Sequence, residues 1–112
     1  MSSKHFRMVK EVAIRGSAIR RHRIGALGVR SDGTIVKSPN LPNRLPEPQA
    51  HAETRVCKKM DWGGVVYVVR VLRNGTFALA RPCKNCIAVM RNSGVKKCYY
   101  SINDNSYGVI KL

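Results

Sequence analysis

Acidic residues are what this chain has least of. Six Asp and Glu stand against 21 Lys and Arg, a formal charge of +15 over 112 residues. That shortage favours anionic partners, meaning nucleotides, RNA, DNA or acidic surfaces, without choosing among them. Aromatic residues are scarce too, at 6%, which lends little support to a long base-stacking platform. No stretch of about 18 apolar residues occurs, so no transmembrane helix is expected. The first residues, Met1-Ser2-Ser3-Lys4-His5-Phe6-Arg7, lack the apolar core of a secretory signal, and a cytoplasmic location is the expectation. With 4 cysteines, two of them in a Cys-x-x-Cys, metal or redox use in a reducing compartment outweighs a disulfide scaffold.

What is present reads as one domain over residues 1–112. The apolar content of 44% is ordinary for a globular chain, and neither internal repeats nor a linker divides it. Residues 4–15 place Phe6, Val9 and Ala13 at helical spacing. Strands follow over 24–30 and 34–37, joined at Ser31-Asp32-Gly33. From Ser38 to Gln49 four prolines (Pro39, Pro42, Pro46, Pro48) remove backbone donors and forbid helix. A helix beginning near His51 carries Glu53, Val56, Cys57 and Met60 at i, i+3, i+4, i+7, and Asp61-Trp62-Gly63-Gly64 breaks it. The β-branched run Val65–Leu72 suits a central strand covered on both faces. Asn74-Gly75 looks locally like a hairpin turn. A central strand already has neighbours on both sides, however, so residues 76–81 are expected as a loop leading to Pro82. Pro82 fits the first position of a helix, with Cys83, Cys86, Ile87 and Met90 on one face. Strands over 95–100 and 107–112 close the chain. The order is α-β-β-α-β-α-β-β, which implies a three-layer α/β/α arrangement around a mixed five-stranded sheet.

The chemistry-bearing residues are His51-Ala52-Glu53 and Pro82-Cys83-Lys84-Asn85-Cys86, with residues 54–81 between them. One imidazole and two thiolates supply three zinc ligands and leave the fourth tetrahedral position open, as a catalytic zinc requires. Glu53 beside an open position is placed to carry protons. Zinc lowers the pKa of a bound water to about 7. Such a hydroxide would attack C4 of a cytosine or C6 of an adenine, with Glu53 as the shuttle. A structural site would instead need a fourth ligand, for which Cys57, Cys98 or a second histidine is available, but both cysteines sit among apolar neighbours that suit a core. Such a site would have no use for Glu53.

At these residues the chain resembles the cytidine and deoxycytidylate deaminase superfamily, which includes tRNA adenosine deaminases. The match lies in Ala50-His51-Ala52-Glu53, in Pro82-Cys83-Lys84-Asn85-Cys86 and in Ser93-Gly94-Val95-Lys96-Lys97-Cys98-Tyr99-Tyr100. The resemblance implies the α/β/α deaminase fold and one Zn2+ per chain, held by His51, Cys83 and Cys86. Asn40, followed by Leu41-Pro42, is similar to the asparagine with which such enzymes hold substrate, so Asn40 and Ala52 are candidate substrate contacts. Phe77 joins them as a candidate stacking surface, with a plain core contact as the alternative. Only residues 101–107 separate the last two strands, too few for a parallel crossover, so an antiparallel C-terminal hairpin is expected. The resulting expectation is a zinc-dependent hydrolytic deaminase converting cytosine to uracil in a nucleoside or nucleotide. The alternatives are a base deaminase acting on RNA or single-stranded DNA, and a non-enzymatic basic nucleic-acid-binding protein with a deaminase-like zinc core. Assembly into a homo-oligomer is a further expectation, since small deaminase domains commonly assemble; a membrane partner is not expected.

Overall fold

The run Val65–Val71 forms the strand on which the other elements are laid. Its side chains alternate between two apolar clusters, Val66 and Val68 on one side of the sheet and Tyr67, Val69 and Val71 on the other. That is the two-sided burial its continuous hydrophobicity requires. The computed structural model describes residues 3–16, 23–39 and 52–112. Within them the elements are α1 (Ser3–Gly16), β1 (Arg23–Val29), β2 (Ile35–Pro39), α2 (Ala52–Cys57), β3 (Val65–Val71), β4 (Phe77–Ala78), α3 (Lys84–Asn92), β5 (Lys97–Asn103) and β6 (Ser106–Lys111). The sheet runs β2-β1-β3-β5-β6, with β4 beside β3. All pairs are antiparallel except β3 with β5, which α3 connects as a crossover.

One layer is α1, which buries Phe6, Val9 and Ala13 against Leu27 and the odd-numbered positions of β3. Gly25 lets this helix lie close, because a Cβ there would come within 2.7 Å of the Ala13 backbone nitrogen. The other layer is α2 with α3, which bury Ala52, Val56, Cys57 and Met90 against Ala26, Val66, Val68 and Cys98. The arrangement is the mixed α/β fold expected for a cytidine deaminase-like chain, and β5–β6 forms the antiparallel C-terminal hairpin.

Two expectations need correction. Residues 76–81 do not run free to Pro82: Val71 pairs with Phe77 and Arg70 with Ala78, making a sixth strand. Asn74-Gly75 is a genuine turn, with Gly75 at φ +86 and Leu72 N donating to Thr76 O at 2.9 Å. A hairpin is accommodated because β5 accompanies β3 only from Val65 to Val68. The remaining edge of β3 is open on that side, and β4 fills it. Pro82, secondly, lies before α3 instead of within it. Cys83 is the N-cap, in extended conformation at φ −71 and ψ 168, so the helix starts two residues later than Pro82 suggests.

Candidate metal and substrate site

The start of α3 brings the two thiols together. Cys86 sits on the helix and is fully buried, whereas Cys83, being the cap, is exposed. The expected sharing of one buried face by both thiols therefore does not hold: Cys83, as the cap, is exposed to solvent, and Cys86 lies in the core. Cys83 Sγ accepts a hydrogen bond from Cys86 N at 3.4 Å, and the two sulfurs stand 3.2 Å apart. That exceeds the disulfide bond length of about 2.05 Å. It is slightly less than the roughly 3.8 Å between two ligands of a tetrahedral zinc with Zn–S bonds of about 2.3 Å. A small rotation of the exposed Cys83 side chain makes up the difference, so the pair fits a metal of that kind.

The partner helix lies on the same side of the sheet. Ala52 and Val56 of α2 share a cluster with Met90 of α3, Ala80 and Val95. Glu53 is the second residue of α2, next to fully buried Ala52. His51, which immediately precedes α2, and Asn40 lie outside the described residues. Among the described residues no third His, Cys, Asp or Glu joins the thiols to make a metal cage. Cys57 and Cys98 are both buried in the apolar cluster beneath α2 and α3, and among the described residues neither forms a group of three metal ligands with the two thiols.

Phe77 is not brought to this constellation. It pairs with Val71 and therefore points to the α1 side, where its ring lies 6.2 Å from Phe6 with Lys10 Nζ 5.3 Å above it. Strand parity decides this, and parity could not be assigned while residues 76–81 were read as a loop.

Several residues that fix the site were not singled out in the sequence. Ser101, almost wholly buried, joins three strands. Its hydroxyl donates to Ala78 O at 2.6 Å and accepts from Arg70 N at 3.2 Å, while its carbonyl accepts from Ala80 N at 2.9 Å. Arg81 donates to the Tyr100 hydroxyl at 3.1 Å and lies over that ring. Together these contacts determine where the chain delivers Pro82 and Cys83. On the other side Arg55 of α2 donates to Pro39 O at 2.7 Å and Lys59 Nζ to Lys37 O at 2.8 Å. The residue before Asn40 is thus bonded to the helix that carries Glu53. A buried serine closing an apolar strand was the one sequence signal available for Ser101; Arg55 and Arg81 had none, since exposed-looking arginines are common in so basic a chain.

Fold and thiol pair together define an α/β/α protein with two adjacent cysteine side chains at a helix start. The family model for the cytidine and deoxycytidylate deaminase zinc-binding region matches residues 1–102, and the chain belongs to that family. Zinc is accordingly its metal, and hydrolysis at a carbon–nitrogen bond is the reaction class that membership implies. No curated protein matches the chain. Among the described residues no helix is long and apolar enough to cross a membrane.

Proposed function

We propose that the protein hydrolyses the 4-amino group of a cytosine carried on a nucleoside or nucleotide, releasing ammonia and leaving uracil. The observation that carries this reading is the pair of thiols 3.2 Å apart at the start of α3, on the sheet face shared with the helix that opens Ala52-Glu53. His51, Cys83 and Cys86 would hold the zinc. Bound there, it supplies Lewis-acid activation of water at neutral pH.

Glu53 takes one proton from the attacking water to the ring nitrogen, where uracil keeps it, and carries the second to the departing amine, which leaves as ammonia. A C–O bond forms at C4, the C–N bond breaks, and no redox partner is needed. Asn40, reached from Pro39 and so from Arg55, orients the sugar or base. Ala52, fully buried in the cluster between α2, α3 and the sheet, anchors the helix start that carries Glu53. The +15 charge favours a second reading, in which the same base is presented on RNA or single-stranded DNA.

The test is to incubate the purified protein with cytidine, dCMP, single-stranded DNA and tRNA and to follow amine-to-oxygen exchange by mass. Turnover on a cytosine nucleoside or nucleotide is expected. Glu53→Ala should retain zinc and fold while losing at least about 10²–10⁴-fold in rate, and Cys86→Ser should lose stoichiometric zinc. Turnover on polynucleotide alone would replace the first reading by the second. Full activity in Glu53→Ala would show that another group moves the proton.

A further inference from the structure

The side of the sheet turned away from the thiols carries a second feature. Although the chain has only 7 aromatic residues, five of them, Phe6, Tyr67, Phe77, Tyr99 and Tyr107, gather on the α1 side of β3, β4, β5 and β6. Tyr67 and Tyr99 stack with centroids 4.9 Å apart at 16°. Tyr107 lies 6.3 Å from Tyr99 and 5.9 Å from Phe6. The helix α1 packs on β1, β2 and β3 and leaves the hairpin β5–β6 uncovered on this side. Tyr107 is accordingly 46% exposed and its neighbour Val109 43%.

Cations border the rings at both ends. At the turn end a cavity of about 310 Å³ lies between α1 and the β5–β6 turn, with Arg7, Lys10, Phe77 and Tyr107 among its walls. Asp104 is the acid there, and its carboxylate is engaged by the Phe77 backbone N–H at 2.7 Å. At the other end Lys97 and Lys111 pair directly across the two strands. Alternation puts both on the side of Tyr99. Like charges opposite one another destabilise a ladder, and an anion lying between them would remove that penalty. From Lys97 to Ser101 the strand spans about 13 Å, comparable to the run of a sheet on which two or three bases stack.

We infer that this aromatic face is a docking surface for single-stranded nucleic acid, with unpaired bases on Tyr107 and Tyr99 and phosphates at Arg7 and Lys10 and at Lys97 and Lys111. Stacking on such rings tolerates any sequence, because every base has a π-face. A second copy of the chain fits less well, because a self-paired face would bring two sets of these four cations together. The surface is independent of the deaminase reading: it lies on the opposite side of the sheet from Cys86, and Tyr107, Val109 and Lys111 fall beyond the residues the family model matches.

The test is fluorescence anisotropy with labelled oligo(dT) and oligo(rU) of about a dozen nucleotides, and with a duplex of the same length, over a salt series. Both single strands should bind more tightly than the duplex. Tyr107→Ala should weaken the single strands about tenfold. Arg7→Gln and Lys111→Gln should each lower the salt slope by about 0.7, while Arg91→Gln, on α3, should leave it unchanged. Photocrosslinking of a thiouridine-containing strand to the unaltered protein gives a readout free of folding effects, and adducts are expected within residues 97–111 and on α1. Equal loss in Arg91→Gln, duplex binding as tight as single-strand binding, or adducts confined to residues 81–92 would overturn the proposal. So would a dimer that protects Tyr107 and excludes the oligonucleotide.

Discussion

The two sides of the sheet are finished in opposite ways. On one, α2 and α3 together bury aliphatic and thiol side chains, and the exposed Cys83 marks where that packing stops. On the other, among the described residues, α1 alone covers three strands and leaves Tyr107 half in solvent beside lysines and arginines. Both sides draw on the same strands, since β3 and β5 alternate residue by residue between them. The first side is therefore built for rigidity around two sulfur atoms, and the second keeps a ready-made apolar surface within an excess of positive charge.

That contrast can be broken most severely on the helical side. Met90→Ala would remove a fully buried side chain from between α3 and α2, and a loss of about 2–5 kcal/mol in chemical denaturation is expected. A loss under about 1 kcal/mol would show that the two helices are loosely docked and that the thiol site does not depend on their packing. Ser101→Ala comes next. It leaves Ala78 O and Arg70 N without their hydroxyl partner in the interior, at a cost of about 1–3 kcal/mol. Because the chain leading to Cys83 is tied at the same residue, zinc affinity should fall with stability.

Tyr107→Ala should cost about 1 kcal/mol or less, since the ring is half exposed and gives up only edge contacts. A melt that drops as far as in Met90→Ala would mean that the aromatic face belongs to the core. The smallest effect is expected at Asp61. Hydrogen bonds from the Ser31 hydroxyl (2.5 Å) and backbone N–H (2.9 Å) hold its carboxyl below its ordinary pKa of 3.8. A depressed carboxylate contributes stability that is present above that value and is lost as the pH falls through the lower folded value. Asp61→Asn should therefore melt slightly earlier near neutrality, and the two proteins should converge in acid. A difference that widens as the pH falls would reverse the sign of the assignment.

How much of this was legible beforehand differs from element to element. Phe6, Val9 and Ala13 announced α1 by their spacing, and the β-branched run announced β3 with burial on both faces. Asn74-Gly75 carries the hairpin signal in its own residues, but whether a hairpin has room depends on how far β5 follows β3, and how far two strands stay paired depends on contacts remote in sequence. Pro82 misled by two positions because a proline is equally at home just before a cap. That Cys83 and Cys86 come together was evident from their spacing, whereas Ser101, Arg55 and Arg81, which hold the chain around α2 and α3, act across 16 to 31 positions.

By itself the sequence determined the residue types of the motif, the metal chemistry they suit and the alternation of helices and strands, because these depend on residue type and short-range period. Tertiary structure alone decided that Cys83 faces outward while Cys86 is buried, that Phe77 joins the α1 side instead of the thiol site, and that five scattered aromatic residues form one surface. The first follows from how the chain caps α3, and the other two from strand register, where a shift of one residue moves a side chain to the opposite face of the sheet.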